Sequence, residues 1–212
     1  MVLDARRDKA DFFLLPLAKR MENVNPNTLS VYAFLCALFA GIFFFMPEPR
    51  SMRPAYLFVA LTFLCLNALF DALDGRIAKL WKKETKRGDF LDHLLDRYAD
   101  IFIIGGIMFS PYCDVFIGFL ALLGVLMTSY VGTQAEATGT GRIYAGIMGR
   151  ADRLAVLMIA VIVQIVLLLV GVPRMGIEGY FHLTVLEYTM IVFAVLGHAT
   201  AVQRAITAWR RI

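Results

Sequence analysis

The chain has 212 residues, of which 59% are hydrophobic and 18% are charged, and its net charge at pH 7 is +4. Soluble domains average roughly 45–50% apolar and about 25% charged residues, and a water-soluble bundle of this length cannot bury so much apolar surface. The composition therefore excludes a soluble enzyme, a disordered chain and a disulfide scaffold, and it indicates a membrane protein. In a membrane protein the basic excess favours anionic lipid headgroups as partners rather than nucleic acid.

The first predicted element is an interfacial amphipathic helix over residues 1–24. Its apolar face is formed by Leu3, Ala10, Phe13, Leu14 and Leu17. Arg6, Arg7, Lys9 and Lys19 lie on other faces. A helix with this division lies in the plane of the membrane surface rather than across it.

Six apolar runs follow that are long enough to be transmembrane helices, since a span needs about 20 mainly apolar residues. We predict these spans near residues 27–46, 54–74, 89–109, 112–134, 153–173 and 182–208. Ser110 and Pro111 separate the third span from the fourth. The sequence therefore predicts an all-α integral membrane protein with six transmembrane helices and an N-terminal interfacial helix, in a single domain over residues 1–212.

The distribution of Lys and Arg predicts the orientation. Most of these residues precede the first span, connect the second span to the third and the fourth to the fifth, or lie near the C-terminal end. Loops rich in Lys and Arg face the cytoplasm. We therefore expect a multi-pass protein of the cell membrane with both termini in the cytoplasm.

Acidic residues are concentrated where the second and third predicted spans meet their cytoplasmic connection. Asp71 and Asp74 are three residues apart, and Asp92, Asp96 and Asp100 repeat every four residues. On a helix, both spacings place the carboxylates on one face. Asp92 and Asp100 would lie about 12 Å apart along that helix, so the last three cannot share one small site.

Carboxylates at a membrane boundary are costly unless they are solvated, paired or bound to metal. Two facing pairs would form a negative, oxygen-rich cavity that suits Mg²⁺ or Mn²⁺ and, through the ion, a diphosphate. The competing interpretation is that these residues only neutralise the basic connection between the two spans. That would explain one pair, whereas four carboxylates at spacings of three and four beside glycines favour a metal site.

The same segment carries the motif of a known family. From Asp71 to Lys79 the chain reads DALDGRIAK, and after eight further residues come Gly88, Asp92 and Asp96. This run resembles the pattern D-x-x-D-G-x-x-A-R, eight residues, then G-x-x-x-D-x-x-x-D of the CDP-alcohol phosphotransferase family, with Lys79 in place of the arginine. Residues 25–30, which read NPNTLS, are also similar to the T-P-N-x-L-T segment of that family.

The resemblance implies a reaction in which a phosphoryl group bearing a lipid or other alcohol moves from its CDP carrier to the hydroxyl of a polar acceptor, releasing CMP. It implies one or two divalent ions, Mg²⁺ or Mn²⁺, bound by Asp71, Asp74, Asp92 and Asp96, with Asp96 as the catalytic base. It implies a CDP site formed by Asn27, Asp74, Gly75, Ala78, Lys79 and Gly88. It further implies a CDP-linked lipid donor, a homodimer and a prokaryotic source.

Two later segments concern the acceptor. Residues 129–137 and 149–154 are similar to the motifs S-Y-x-K-A-R-A-E and E-R-x-E-R-L, which belong to the branch that makes phosphatidylinositol phosphate or archaetidylinositol phosphate from inositol phosphate. Gly132 and Gln134 stand where the first motif has lysine and arginine. The candidate acceptor-binding residues are Gln134, Glu136, Arg150 and Arg153. The competing interpretation is that the two arginines anchor their helix at the headgroups.

Two other functions are compatible with aspartate-rich helices. An intramembrane prenyltransferase also binds a diphosphate through Mg²⁺, but it would have two widely separated aspartate motifs and usually a longer chain. A small ion-coupled transporter would have unpaired carboxylates deep in its spans and a repeat of two halves. The sequence shows neither pattern, which favours the transferase. The prenyltransferase and the transporter are kept as alternatives.

Overall fold

The first long helix begins where the sequence supplies a cap. The computed structural model describes residues 14–46, 53–141, 143, 146–177 and 181–212, and in it helix α1 covers Pro26–Phe45. The side chain of Asn25 accepts a hydrogen bond from the backbone N–H of Asn27 at 3.0 Å, and Pro26 occupies the first turn. Proline suits this position because its missing N–H would have no partner inside the helix. The segment similar to T-P-N-x-L-T therefore starts α1.

Five more long helices follow among the described residues. They are α2 (Pro54–Leu80), α3 (Lys86–Met108), α4 (Val115–Ala137), α5 (Arg150–Leu169) and α6 (Val185–Trp209). Side-chain oxygens of Thr85, Asp114 and Thr184 cap α3, α4 and α6. Helix α2 continues past residue 74, the predicted end of the second span, so Asp71 and Asp74 lie inside a continuous helix.

Five of these helices, α1, α2, α4, α5 and α6, are long and apolar enough to cross a membrane. Helix α3 is not in this group, because its first two thirds carry charged residues, among them Asp92, Asp96, Arg97 and Asp100. Length and composition of the described helices thus support a helical membrane protein with five candidate spans, where the sequence predicted six.

A short β-hairpin departs from the all-α prediction. Strands β1 (Met175–Ile177) and β2 (Phe181–Leu183) pair antiparallel, with Gly176 opposite His182. Helix α6 begins at Val185, after its cap Thr184, rather than at the predicted residue 182. The buried Gln164 of α5 contacts the chain on both sides of the hairpin. Its Nε2 donates to the carbonyl of Pro173 at 2.9 Å, and its Oε1 accepts from the N–H of Val185 at 2.8 Å.

The N-terminal segment is helical at residues 14–19 and packs against the end of α2. Ala18 is buried in a small cluster with Leu29, Leu73 and Ile77. The indole Nε1 of Trp81 donates to the carbonyl of Ala18 at 3.2 Å. The helix ends earlier than the predicted residue 24, and residues 1–13 of the predicted interfacial helix lie outside the described residues.

The six described long helices pack in a closed ring, in the order α1–α2–α5–α6–α4–α3. Helices α2 and α3 both pack mainly against α1 rather than against each other. At the crossing of α1 and α3, a Cβ atom on Gly106 would lie 2.7 Å from the Cα of Gly41, which is closer than non-bonded atoms approach. Glycine at these two positions therefore lets the backbones touch and determines where α3 lies beside α1.

We expect Gly106→Ala to destabilise the protein by about 1–3 kcal/mol, because the added methyl group overpacks the crossing of α1 and α3. The midpoint of thermal unfolding in detergent micelles measures this effect. Gly105→Ala is the matched control, since a Cβ there would meet no neighbouring atom within 4 Å and alanine is the better helix former by about 1 kcal/mol. Equal midpoints for the two variants would contradict the close crossing.

Candidate active site

Three carboxylates from two helices converge beside the first turns of α1. Asp71 and Asp74 belong to α2, Asp92 belongs to α3, and one oxygen of each lies within 4.8 Å of the other two. Opposite oxygens around Mg²⁺ are about 4.2 Å apart, given metal–oxygen bonds of about 2.1 Å. The spacing and the hard oxygen donors therefore fit Mg²⁺ or Mn²⁺ with small adjustments.

Helix α1 orients the most enclosed of these carboxylates. Asp74 is only 4% exposed, and the Oγ of Ser30 donates to its Oδ2 at 2.7 Å. Hydrogen bonds of this kind commonly fix the orientation of metal-binding carboxylates. The sequence offered Ser30 only as part of the segment that starts α1, and its contact with Asp74 depends on the packing of α1 against α2.

A first cavity of about 250 Å³ opens beside Asp74 and Asp92. It is lined by every residue that the resemblance implies for the CDP site, namely Asn27, Asp74, Gly75, Ala78, Lys79 and Gly88. Lys79 and Lys83 also line this cavity. They contribute two cationic groups, whose charge is opposite in sign to that of the carboxylates. The cavity thus combines carboxylates for a cation with ammonium groups for phosphate.

Two glycines shape this cavity in different ways. A Cβ on Gly88 would lie 2.9 Å from the Oδ1 of Asn27, so glycine allows α3 to lie close to α1 at this point. A Cβ on Gly75 would meet no neighbouring atom within 4 Å, so the lack of a side chain at this glycine leaves open space in the cavity.

Asp96 lies outside the three-carboxylate cluster and is paired with arginine. Its Oδ1 is 2.7 Å from the Nη1 of Arg150, and the same nitrogen is 2.5 Å from the Oδ1 of Asp71. Arg97 is also near, with its Nη2 3.7 Å from the Oδ2 of Asp96. One guanidinium therefore joins a member of the cluster to the predicted base.

Asp100, the last of the three aspartates that repeat every four residues on α3, is paired with arginines. It is 5% exposed, and its Oδ2 lies 3.3 Å from Arg97 and 3.3 Å from Arg153. A buried carboxylate is tolerated when it is paired and hydrogen-bonded in this way. Its separation from Asp92 along α3 keeps it away from the cation cluster, as the helical spacing predicted.

A second cavity of about 170 Å³ is lined by Asp96 and shares no lining residue with the first. Four arginines contribute to its wall: Arg97, Arg150, Arg153 and Arg204. Arg204 comes from α6, and its Nη1 donates to the carbonyl of Thr128 at 2.8 Å. The sequence did not single out Arg204, because it follows the apolar part of the last span and resembles an ordinary basic end.

The structure separates the four candidate acceptor-binding residues. Arg150 and Arg153 line the second cavity, whereas Gln134 and Glu136 are exposed in the last turns of α4 and do not line it. Gly132 does line it, and two residues further along a helix the chain has turned by about 200°, which directs Gln134 away. Glu136 lies one turn beyond Gly132, past the end of the cavity.

Comparisons with known proteins agree with these features. The family model described as CDP-alcohol phosphatidyltransferase matches residues 23–207. Archaetidylinositol phosphate synthase of Methanothermobacter thermautotrophicus is 32% identical over 202 residues, which are 94% of this chain and 90% of that protein. Among solved structures, phosphatidylinositol phosphate synthase of Mycobacterium tuberculosis with CDP-DAG bound superposes with a TM-score of 0.69 at 23% identity over 92% of each chain.

A second structure of the mycobacterial enzyme, in complex with manganese and citrate, has a TM-score of 0.68 at 23% identity and covers 92% of this chain and 88% of its own. At these identities the two structures show a common fold. The family match confirms the reaction class predicted from the aspartate motif, and it supports the transferase over the prenyltransferase and the transporter.

We expect Asp74→Asn to weaken Mn²⁺ binding by at least about 100-fold, because it removes a charged ligand from the cluster. Electron paramagnetic resonance of free Mn²⁺ in a titration of the purified protein measures the affinity. Asp89→Asn is the matched control on α3: its side chain is 72% exposed and borders the first cavity, but it is not a member of the three-carboxylate cluster. Equal Mn²⁺ affinities for the two variants would contradict the proposed metal site.

Proposed function

The chain belongs to the CDP-alcohol phosphatidyltransferase family, and on this premise we propose that it transfers a diradylglycerol phosphate group from a CDP-linked lipid to a hydroxyl of inositol phosphate, releasing CMP. The observation that carries the proposal is the position of the aspartates relative to the two cavities. Asp74 and Asp92 line the first cavity, and Asp96 lines the second. The aspartates of α2 and α3 therefore border both cavities, one of which we assign to the donor and the other to the acceptor.

We assign the first cavity to the CDP group of the donor. The mycobacterial relative with CDP-DAG bound supports a CDP-linked lipid as donor. Gly75 leaves open space in this cavity for the nucleotide, and Lys79 contributes a cation for phosphate. Lysine offers a point charge without the bidentate fork of arginine, so this contact constrains the phosphate less than the family's arginine would.

The carboxylates of Asp71, Asp74 and Asp92 would bind the divalent cation, with Asp96 as the fourth ligand that the resemblance implies, and the structure of the relative with manganese supports such an ion. When bound, Mg²⁺ or Mn²⁺ supplies charge neutralisation for the diphosphate as CMP leaves. Ser30 donates a hydrogen bond to the Oδ2 of Asp74, and the other oxygen of this carboxylate, Oδ1, is not engaged by Ser30.

Asp96 is the proposed base because it borders the acceptor cavity one helical turn beyond Asp92. Its carboxylate would take the proton of the acceptor hydroxyl while the hydroxyl oxygen bonds to the phosphorus of the lipid phosphate. The bond between that phosphorus and the oxygen of CMP breaks in the same transfer. In the structure, Arg150 and Arg97 contact this carboxylate at the edge of the cavity.

We assign the second cavity to the phosphate-bearing acceptor. Arginine suits a phosphate because its planar guanidinium donates two parallel hydrogen bonds. Similarity to an archaetidylinositol phosphate synthase supports inositol phosphate as the acceptor. Since Gly132 replaces the motif's lysine and Gln134 lies outside the cavity, the proposed grip on the phosphate comes from Arg150, Arg153 and Arg204.

The protein is a multi-pass membrane protein, and we propose a finer arrangement for it. Helix α3 would be the sixth span, with its charged part at the cytoplasmic face beside the basic connection from α2. Both termini and the active site would face the cytoplasm, as the Lys and Arg distribution predicts, with residues 1–24 on the membrane surface. The single domain, the homodimer and the prokaryotic cell membrane remain predictions.

We expect Asp96→Asn to lower kcat for CMP release by about 10²- to 10⁴-fold, because the amide cannot accept the hydroxyl proton. CMP release from a CDP-linked lipid and inositol phosphate measures kcat, and isothermal titration with CDP checks that the donor site is intact. Undiminished CMP release would exclude Asp96 as the base, and lost CDP binding would show that the substitution disrupts the donor site.

We expect inositol phosphate to be the best acceptor in a panel that also contains glycerol phosphate, serine and inositol. Arg204→Gln should raise the KM for inositol phosphate by about tenfold or more and leave the KM for the lipid donor unchanged, since a charged hydrogen bond contributes about 1.5–3 kcal/mol. Arg210→Gln is the control, because Arg210 is exposed after α6 and does not line the second cavity. Preference for serine or free inositol would contradict the proposed acceptor within the same reaction class.

A further inference from the structure

Arg150 connects the proposed cation ligands with the proposed acceptor cavity. Its Nη1 contacts the Oδ1 of Asp71 at 2.5 Å and the Oδ1 of Asp96 at 2.7 Å. Asp71 is a member of the three-carboxylate cluster, and Arg150 itself lines the second cavity beside Arg153. A single side chain therefore contacts the cation site and belongs to the wall of the acceptor site.

Among the described residues, the guanidinium of Arg150 has one nitrogen without a hydrogen-bond acceptor. In the part of the chain that the structure describes, the Nε of Arg150 is buried and donates no hydrogen bond, and the Oδ1 of Asp100 lies 4.0 Å from it. A buried donor without an acceptor costs free energy. The attraction of Asp71 and Asp96 for Nη1 therefore holds the arginine in this position, without a complete set of hydrogen bonds.

We infer, on the basis of the proposed function, that Arg150 and the divalent cation are alternative partners of Asp71 and Asp96, and that cation binding releases the guanidinium to the phosphate of the acceptor. Both positive groups are attracted to the same carboxylates, and two like charges at such short range repel each other. The released side chain stays in the wall of the second cavity, where phosphate oxygens can accept its unused hydrogen bonds.

Arg150 is then a positioning residue that couples the two substrates' sites. With Asp71 and Asp96 engaged by a cation, the acceptor cavity gains an arginine that those carboxylates otherwise hold. Because coupling between two binding events is reciprocal, a phosphate in the acceptor cavity must tighten cation binding by the same factor. The donor's cation would thus prepare the site for the acceptor.

The first test is the affinity of the full-length protein in lipid nanodiscs for Mn²⁺ alone, measured by electron paramagnetic resonance. Arg150→Gln is expected to tighten Mn²⁺ binding by about tenfold or more, because it removes a competing and repelling charge. Arg153→Gln is the matched control: Arg153 contacts Asp100 and neither Asp71 nor Asp96, so its Mn²⁺ affinity should change by less than about threefold.

The sign of this change separates competition from a purely structural role. If Arg150 only oriented Asp71 for the cation, Arg150→Gln would weaken Mn²⁺ binding, and a weaker or unchanged affinity therefore overturns the inference. Equal tightening in Arg153→Gln also overturns it, since the change would then reflect general charge near the site. Absence of Mn²⁺ binding in every variant would overturn both the metal site and the competition.

The second test measures inositol 1-phosphate binding by isothermal titration with and without Mn²⁺, in the native protein and in two variants. We expect Mn²⁺ to tighten this binding by about fivefold or more in the native protein and in the control Arg210→Gln, whose exposed side chain does not line the second cavity, but by less than about twofold in Arg150→Gln. Coupling that persists in Arg150→Gln overturns the release of Arg150 to the phosphate. If inositol 1-phosphate binds under neither condition, the acceptor assignment fails as well, while tighter Mn²⁺ binding by Arg150→Gln would still support competition for Asp71 and Asp96.

Discussion

The need to neutralise closely spaced carboxylates at the edge of an apolar bundle governs this molecule. Asp71, Asp74 and Asp92 crowd their negative charge into one small volume, and such a concentration is unfavourable near lipid unless cations or hydrogen-bond donors compensate it. The hydroxyl of Ser30 donates to Asp74, and arginine side chains pair with Asp96 and Asp100. These donors come from α1, α3 and α5, so neutralisation of the aspartates also holds the helices together.

Helix α1 explains how aspartates from two helices reach one place. It packs against both α2 and α3, and at the glycine crossing with α3 the two backbones touch. Its first turns contribute Asn27 beside Gly88 and Ser30 beside Asp74. The short segment before the first span thus starts a helix and supplies polar side chains to the site at the same time.

Local patterns in the sequence predicted much of this arrangement, and contacts between distant segments account for what they missed. The spacing of Asp71 and Asp74, and that of Asp92 and Asp96, predicted which carboxylates share a helix face, because helical periodicity determines this. By contrast, the pairing of Asp96 with Arg150, the entry of Arg204 into the second cavity and the position of Gln134 depend on how α3, α4, α5 and α6 meet. The hairpin before α6 likewise depends on one buried amide in α5, which no local pattern in its own segment reveals.

The two cavities have no lining residue in common, and this separation bears on how such proteins can diversify. Substitutions in the wall of the second cavity change its shape and charge without touching the residues that face the nucleotide. In this chain the first cavity departs from the family patterns by the conservative changes at Lys79 and Ser30, whereas Gly132 removes a whole side chain from the second. A lineage could therefore acquire a new headgroup chemistry by altering α4 and α6 while the cavity proposed for the nucleotide stays unchanged.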